Sequence, residues 1–284
     1  MNIKKLLAVF TAALAFALPL PCNAANQAAE TQTNVEKLKE KPIVVVITSY
    51  NNKEWYKSNL DELFAQKYDN YRVIYVDDVS TDGTPTLVKE YVKEKKQEHR
   101  FKLIANTERI GQLGNIDKAV SQCDKKDIIV SYDGDDWFPH DKVLARVNEV
   151  YADPNVWLTY GQFVFYPSNQ MGFVKEVPKD VIDRNDFRNT LGISHLRTFY
   201  AGLFQKIKKE DMLMDGKYYS VACDVAFMTP MCEMAGHHIK FIPEVLYVYN
   251  YSNPLSDFRV HESLQLSTDR IIRAKERYLP IDQF

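Results

Sequence analysis

The strongest constraint on the fold comes from residues 43–47, a run of valine and isoleucine with no polar residue on either face. A strand that is apolar on both faces is typical of a parallel sheet that is covered on both sides. Three more apolar runs follow, separated by stretches with helical periodicity: residues 71–76, 101–105 and 127–132. This alternation predicts an α/β fold with one mostly parallel, twisted sheet flanked by helices and joined by right-handed crossovers.

The helices between these runs show ordinary start signals. Thr84 is followed by Pro85, and we expect Thr84 to be an N-cap because proline is favoured at the first helical position. After residue 140 the pattern is less regular, and it forms a smaller second region. There we expect further helices and strands, over residues 143–150, 156–166, 199–204, 225–235 and 239–249, before a C-terminal loop and helix over 251–284.

The N-terminus has the features of a secretory signal peptide over residues 1–24. Lysines precede an apolar run over residues 6–20, and small residues follow at the expected cleavage position. The run is shorter than the roughly 20 residues that cross a bilayer, so cleavage and export to the periplasm or the exterior are expected. Membrane anchoring through residues 6–20 is the alternative. Residues 25–41 are polar and are predicted to be a linker.

The composition excludes some classes of protein. The 284 residues carry 36 basic and 38 acidic side chains, a formal net charge of -2. There is no basic surplus to cover a phosphate backbone, so no nucleic-acid partner is expected. Removal of the signal leaves Cys123, Cys223 and Cys232, with no CxxC pair. Buried free thiols are therefore expected rather than a structural zinc site.

Polar side chains gather where the predicted strands end. Thr48 and Tyr50 follow the first strand, Asp78 follows the second, and an acidic cluster at residues 133–136 follows the fourth. In open α/β sheets, ligands bind beyond the carboxyl ends of the strands. These residues are therefore expected to border one cleft, although turn and capping chemistry is an alternative for the pair Asp77-Asp78.

Asp133, Asp135 and Asp136 lie within four positions of one another. Carboxylates so close together repel unless they are solvated or neutralised by a cation. Oxygen ligands suit Mn²⁺ or Mg²⁺, with diphosphate oxygens completing the coordination. A solvated turn and a calcium loop are the alternatives, and the calcium loop is disfavoured because Phe138 and Pro139 stand where a later acidic ligand is needed.

Four motifs in this order resemble the family 2 glycosyltransferases of the GT-A fold: Thr48-Ser49-Tyr50-Asn51, Asp77-Asp78-x-Ser80-x-Asp82-x-Thr84, Asp133-Gly134-Asp135-Asp136 and Ile242-Pro243-Glu244-x-Leu246-Tyr247-x-Tyr249. The resemblance implies a glycosyltransferase domain over residues 42–250, with a nucleotide-sugar half at 42–140 and an acceptor half at 141–250. It also implies inverting transfer of a sugar from a nucleotide-diphosphate donor, most often a UDP-sugar. The acceptor would be a hydroxyl of a carbohydrate, lipid or protein, and Mn²⁺ or Mg²⁺ would assist.

The resemblance also assigns roles to donor-side residues. Thr48 and Tyr50 would line the nucleoside pocket, and Asp78 would bond the base. Arg109 would contact the diphosphate or the base, although the family's longer pattern differs here. Asp135 and Asp136 would hold the metal and the donor, with Asp133 in support.

An inverting transfer needs a base that takes the proton of the acceptor hydroxyl. The family usually places a Glu-Asp pair near the start of a helix, and here Cys223-Asp224 stands in that place. The resemblance makes Asp224 the candidate base, whereas spacing alone favours a helix cap. Acceptor-side candidates are Trp137, Arg197 and Tyr200.

Other functions are left open. A non-catalytic, exported module that binds a carbohydrate or a nucleotide is the main alternative, because nucleotide sugars are not expected outside the cytoplasm. Hydrolysis of the donor without an acceptor is another. A nucleotidyltransferase should carry a phosphate loop rich in Gly, Arg and Lys near the first strand, and the sequence has none there.

Overall fold

The computed structural model of the chain describes residues 38–189, 192–256 and 262–284. The predicted signal peptide and most of the predicted linker lie outside the described residues. Among the residues described, no helix is long and apolar enough to cross a membrane.

Four parallel strands form the first half of the central sheet, and three helices join them. The strands are β1 (Ile43–Ser49), β2 (Tyr71–Asp77), β3 (Phe101–Ala105) and β4 (Ile128–Asp133), and the connecting helices are α1 (Tyr56–Phe64), α2 (Thr84–Glu94) and α3 (Gly111–Val120). Every residue of β1 is buried, which confirms the buried strand predicted from its two apolar faces.

The second half adds three strands to the same sheet. Its strands are β5 (Leu158–Tyr166), β6 (Arg197–Tyr200) and β9 (Ile239–Asn250), with a separate small pair β7 (Leu213–Met214) and β8 (Lys217–Tyr218). Its helices are α4 (Val143–Val150), α5 (Lys179–Asp183), α6 (Ala201–Phe204), α7 (Cys223–Ala235) and α8 (Glu262–Arg273).

The seven strands of the central sheet, among the described residues, are ordered β3-β2-β1-β4-β6-β5-β9. Strand β6 runs antiparallel to both of its neighbours, β4 and β5, while β5 and β9 are parallel. The mixed α/β fold with one mostly parallel sheet flanked by helices is thus confirmed.

A buried ion pair holds the C-terminal part of the chain to the body. Arg188 Nε and Nη2 donate to the two carboxylate oxygens of Glu233 on α7, at 2.6 and 2.9 Å. Arg188 also donates to the carbonyl of Ile272 on α8, and Glu233 accepts from the backbone N–H of Tyr278. These contacts position α8 and the last residues against α7.

The start of α2 differs from the prediction. Thr84 is the first helical residue rather than the cap, and it follows Gly83, whose φ is 89°. Asp82 Oδ1 accepts from the backbone N–H of Thr84 at 2.9 Å and from its hydroxyl at 2.6 Å. Asp82 therefore satisfies the backbone N–H of the first residue of α2, and the Thr84 hydroxyl donates to Asp82 instead of capping the helix.

Candidate active site

A cleft of about 1650 Å³ lies at the carboxyl ends of β1, β2 and β4. Strand β1 pairs with β2 on one side and β4 on the other. Strands β2 and β3 therefore extend the sheet in one direction from β1, and the later strands extend it in the other. Ligand sites in open α/β folds lie at such switch points. The cleft exceeds the roughly 300–1,000 Å³ that one small ligand usually occupies, so it has room for two substrates.

One end of the cleft is formed by Tyr50, Asp78 and Arg109. The Arg109 guanidinium lies over the Tyr50 ring, 3.5 Å from the ring centroid. Asp78 is 2% exposed, and its two oxygens accept from the backbone N–H groups of Ile110 and Gly111, each at 3.0 Å. Asp78 thus holds the loop that carries Arg109, while its side chain also lines the cleft.

Its neighbour Asp77 has a different role. Asp77 is buried, and its oxygens accept from the backbone N–H of Ser80 at 2.9 Å and from the Ser80 hydroxyl at 2.6 Å. The turn chemistry considered for this pair of aspartates therefore applies to Asp77, which does not line the cleft.

The acidic cluster after β4 lies at the centre of the cleft, and each of its aspartates has a separate partner. Gln112 Nε2 donates to Asp133 Oδ1 at 2.6 Å, and Asn253 Nδ2 donates to Asp135 Oδ2 at 2.6 Å. The backbone N–H of Asn250 donates to Asp136 Oδ1 at 2.7 Å. Oδ2 of Asp136 is buried and accepts no hydrogen bond of good geometry from the described residues, and the Tyr247 hydroxyl is the donor that interacts with this carboxyl.

Burial raises the pKa of all three carboxyls, because it penalises the charged form. The pKa of Asp133 is raised to about 6, although the nearby Arg197 charge opposes the increase. The pKa of Asp136 is raised well above its usual value by burial and then by the neighbouring aspartates Asp135 and Asp133. The three carboxyls therefore lack enough nearby positive charge to stabilise their ionised forms.

A divalent cation fits this arrangement. One ligand atom each from Asp133, Asp136 and His195 lies within 4.8 Å of the others. A buried carboxylate oxygen without a partner is costly unless a cation or a donor neutralises it. Asp136 belongs to the predicted metal pair, whereas Asp135 is outside this group and is held by Asn253.

Asp224 lies in the first turn of α7 and forms an ion pair across the cleft. Arg197 Nη2 is 2.7 Å from Asp224 Oδ2, and the arginine side chain is 6% exposed against 33% for the aspartate. The residue preceding α7 is Ala222, and no side chain caps that end. Asp224 is therefore not the N-cap residue of α7, although its Oδ1 accepts from the N–H of Val225 in the first turn, at 3.0 Å.

Two residues next to these aspartates adopt strained backbone conformations. Val79, which follows Asp78, has a φ of 64°, and Ala222, two residues before Asp224, has a φ of 53°. A β-branched residue at positive φ is uncommon, and such strain tends to occur at functional sites.

The other acceptor-side candidates do not line the cleft. Trp137 pairs with Val248 through the backbone, and its ring packs edge-on against Tyr166 at 4.9 Å. Tyr200 pairs with Ile128 at the start of β4, and its hydroxyl accepts from Lys41 Nζ at 3.1 Å. Because β6 is antiparallel to β4, its last residue lies at the opposite edge of the sheet from Asp133. Of the three candidates, Arg197 alone lines the cleft.

Several cleft residues were not identified from the sequence. Gln112 and Asn253 bind the acidic cluster, and His195 lies beside it. An aromatic wall also borders the cleft, made of Phe163, Phe165, Phe173, Tyr249 and Tyr251. Tyr249 lies in the last of the four motifs, and Phe163 and Phe165 lie in the predicted strand at residues 156–166, whereas the other residues have no local motif.

A parallel sheet with a cleft at its switch point and an acidic cluster after β4 defines a GT-A type nucleotide-sugar fold. Residues 44–210 match the profile of "Glycosyl transferase family 2". The match covers more than half of the chain, and the chain therefore belongs to glycosyl transferase family 2.

Curated relatives carry glycosyltransferase names and match over part of their length. EpsH of Bacillus subtilis (strain 168), named as a glycosyltransferase, is 32% identical over 103 residues, which are 36% of this chain and 28% of EpsH. TuaG of the same organism, named as a glycosyltransferase of teichuronic acid biosynthesis, is 30% identical over 108 residues, 38% of this chain and 41% of TuaG. The matches thus span less than half of each relative.

Solved structures share the fold at low sequence identity. Mannosyltransferase PcManGT from Pyrobaculum calidifontis, in complex with GDP-Man and Mn²⁺, superposes with a TM-score of 0.61 at 20% identity, covering 84% of this chain and 66% of that one. S. aureus TarS 1-349 in complex with UDP-GlcNAc gives a TM-score of 0.57 at 17% identity, covering 83% and 68%.

Proposed function

We propose that the protein is an inverting glycosyltransferase that moves a sugar from a nucleotide-diphosphate donor, a UDP-sugar, to an acceptor hydroxyl with the help of Mn²⁺ or Mg²⁺. The observation that carries this proposal is the cluster of buried carboxyls around Asp136, in a cleft that also holds the partly exposed Asp224. Family membership and the nucleotide-sugar ligands of PcManGT and TarS support it.

The donor end of the cleft suits a nucleoside. Tyr50 offers an aromatic face, and Arg109 offers a cation that already lies on that face. The guanidinium is 53% exposed, so it is free to turn toward a base or a phosphate. Asp78 holds the loop behind it and keeps a carboxylate at the cleft wall.

The acidic cluster suits a cation that a diphosphate also binds. Asp133, Asp135 and Asp136 provide the oxygen ligands that Mn²⁺ and Mg²⁺ prefer. A bound divalent ion would neutralise the charge of the leaving nucleoside diphosphate as its bond to the sugar breaks. Without that ion, two diphosphate charges beside these carboxylates would be repelled.

Asp224 is proposed as the base, because its carboxylate is partly exposed in the cleft and held in place by Arg197. The acceptor oxygen forms a bond to the anomeric carbon while its proton passes to an Asp224 oxygen. The bond between the anomeric carbon and the diphosphate oxygen breaks, and its electron pair leaves with the nucleoside diphosphate. Attack opposite the leaving group inverts the configuration at that carbon.

The test begins with binding by titration calorimetry. UDP and GDP are titrated with Mn²⁺, with Mg²⁺ and in EDTA, into the unmutated protein and the Asp136→Asn variant. We expect UDP to bind only with a divalent ion, and the variant to lose most of that affinity. UDP binding that is equally strong in EDTA would contradict the metal-assisted proposal.

Turnover is then measured with UDP-sugars and a panel of sugar, lipid and peptide acceptors, and the anomeric configuration of the product is read by NMR. A product with inverted configuration supports the full proposal. Tight donor binding without transfer or hydrolysis for any acceptor would favour the alternative of a non-catalytic binding module. Export through residues 1–24 stays a separate proposal, tested by N-terminal sequencing of the mature protein.

A further inference from the structure

His195 lies beside the acidic cluster, and its contacts determine which ring nitrogen carries the proton. The ring is buried and stacks on Tyr247 with centroids 4.3 Å apart. Arg197 Nη1 lies 3.2 Å from Nδ1 of His195. A guanidinium group donates hydrogen bonds and accepts none, so Nδ1 must be the acceptor. A neutral histidine that accepts at Nδ1 carries its proton on Nε2.

Neighbouring side chains hold both Arg197 and the His195 ring in place. Arg197 is itself held by Asp224, with Nη2 2.7 Å from Oδ2. The His195 ring cannot turn freely, because Tyr247 covers one face and Phe163 meets it edge-on at 5.7 Å. The ion pair and the aromatic packing therefore select one tautomer of His195.

The selected tautomer is unsuited to metal coordination. A ligating nitrogen must offer its lone pair, but the Nδ1 lone pair faces Arg197 and Nε2 carries a proton. A histidine that binds a metal usually donates its other N–H to a carboxylate or a carbonyl. His195 has the opposite arrangement, since its second nitrogen accepts from a cation.

The Nε2–H group is available instead. Within the described parts of the chain, the one hydrogen bond of the His195 ring is that of Nδ1, and Nε2 makes none. The His195 side chain lines the cleft between the acidic cluster and the Arg197–Asp224 pair. An N–H in that position faces the place where oxygens of the diphosphate and the transferred sugar are expected.

We propose that His195 is a hydrogen-bond donor, through Nε2–H, to an oxygen of the diphosphate-sugar part of the donor, and that it is not a ligand of the divalent ion. The substrate half of this assignment rests on the proposed function. The metal half concerns the chain alone.

The first experiment reads the metal half without turnover. Mn²⁺ affinity is measured by calorimetry for the unmutated protein, His195→Gln and His195→Phe. His238→Phe is the matched control, because His238 also stacks on an aromatic ring, Trp157, at 3.8 Å, but does not line the cleft. We expect every Mn²⁺ dissociation constant to stay within about threefold. A loss of about 10–100-fold or more in both His195 variants, typical of a damaged metal site, would overturn the proposal.

A second readout is made on the unmutated protein and uses a variant only to assign the resonance. Nitrogen-15 NMR of the histidine rings, with Mg²⁺ absent and then saturating, is expected to show His195 protonated at Nε2 in both states. The resonance that disappears in His195→Gln identifies it. A proton on Nδ1, or loss of the Nε2 proton when Mg²⁺ is added, would overturn the tautomer and the proposal with it.

The third experiment tests the substrate half with UDP, UDP-GlcNAc and GDP-Man in saturating Mn²⁺. His195→Phe keeps an aromatic ring but removes the donor, and it should weaken binding of the preferred donor at least tenfold. His195→Gln retains an N–H and should lose less. Equal losses of affinity for UDP and UDP-GlcNAc would show that His195 donates to an oxygen of the diphosphate. A loss of affinity for UDP-GlcNAc alone would show that it donates to an oxygen of the sugar.

These outcomes separate the two proposals. If the unmutated protein binds the nucleotides but His195→Phe binds them equally well, the donor role of His195 is wrong and the proposed function stands. If the unmutated protein binds none of them, the proposed function and the substrate half fail together. The Mn²⁺ and NMR measurements still decide the metal half.

Discussion

Arg197 Nη2 and Asp224 Oδ2 lie 2.7 Å apart, with the guanidinium almost fully buried and the carboxylate one-third exposed. The two groups come from β6 and α7, which are separated by the whole β7–β8 segment. A buried cation fixes one oxygen of the carboxylate, and the exposed remainder faces the cleft. This geometry suits a group that must be oriented and still reach a substrate.

Asp224→Asn is expected to keep donor affinity within a few-fold and to cut transfer by roughly 10² or more, the usual contribution of a general base. An amide oxygen can still accept from Arg197, so the free energy of unfolding should change little. Transfer rates and nucleotide affinities are measured side by side. The control is Asp180→Asn, which alters a first-turn aspartate whose ion pair with Arg184, at 2.9 Å, is exposed. Near-normal turnover by Asp224→Asn would remove Asp224 from the chemistry.

Asp78→Asn should weaken nucleotide binding at least tenfold and also destabilise the fold. The carboxylate accepts from two backbone N–H groups, those of Ile110 and Gly111, and an amide cannot serve both in the same way. Leaving a buried donor unpaired costs about 1–3 kcal/mol. Chemical denaturation and UDP titration measure the two effects.

The control for this variant is Arg109→Ala. The Arg109 side chain is 53% exposed and contacts Asp78 at 3.6 Å, so its removal should lower nucleotide affinity with little change in stability. Equal losses of stability in Asp78→Asn and Arg109→Ala would contradict the anchoring role given to Asp78.

Metal affinity should fall in mild acid. Burial raises the pKa of Asp133 to about 6, and a cation competes with the proton on that carboxyl. Mn²⁺ affinity should therefore fall as the pH drops through about 6. Calorimetry across that range checks it. An affinity that does not change between about pH 7.5 and pH 5 would contradict the raised pKa.

The raised pKa of Asp133 also affects the stability of the metal-free protein. Its contribution to stability falls as the pH rises, whereas the metal affinity rises with pH. The folded state binds the Asp133 proton more tightly than the unfolded state, so this contribution to stability is present in acid. It is lost as the pH rises through the folded pKa. Asp133→Asn should raise the melting temperature at about pH 7.5 but not at about pH 5, where the unmutated carboxyl is already protonated.

Glu233→Gln should destabilise the protein by about 3–5 kcal/mol, because it leaves a buried guanidinium without its counter-charge. Glu233 is 0% and Arg188 is 6% exposed in this pair. The control is Glu244→Gln, whose ion pair with Arg146 at 2.8 Å involves a carboxylate that is 49% exposed and should be worth less than about 1 kcal/mol. Urea unfolding of both variants makes the comparison, and equal losses would contradict it.

Much of the donor half could be predicted from the sequence because its signals are local. Strands β1, β2 and β4 are apolar on both faces and end in polar residues. In a parallel sheet such ends share one edge, so Thr48, Asp78 and Asp133 were expected together, and all three line the cleft. The order of these motifs also made the family recognisable.

The rest depends on contacts between distant parts of the chain. Gln112 and Asn253 reach the acidic cluster from positions 21 and 118 residues away from their partners, and neither has a motif. The predicted position of Tyr200 failed for a different reason. It required the direction of β6, which the apolar pattern does not encode, since parallel and antiparallel strands are both runs of alternating or apolar residues.

The reversed direction of β6 has one more consequence. Ser131 of β4 pairs with Arg197, the first residue of β6. The residues that precede β6 therefore lie at the end of β4 from which the acidic cluster follows. A parallel strand in that slot would bring its last residues to this edge and send Arg197 and His195 to the far side, beside Lys41. The polarity of a single four-residue strand thus determines whether the carboxylates meet a cation from their own chain.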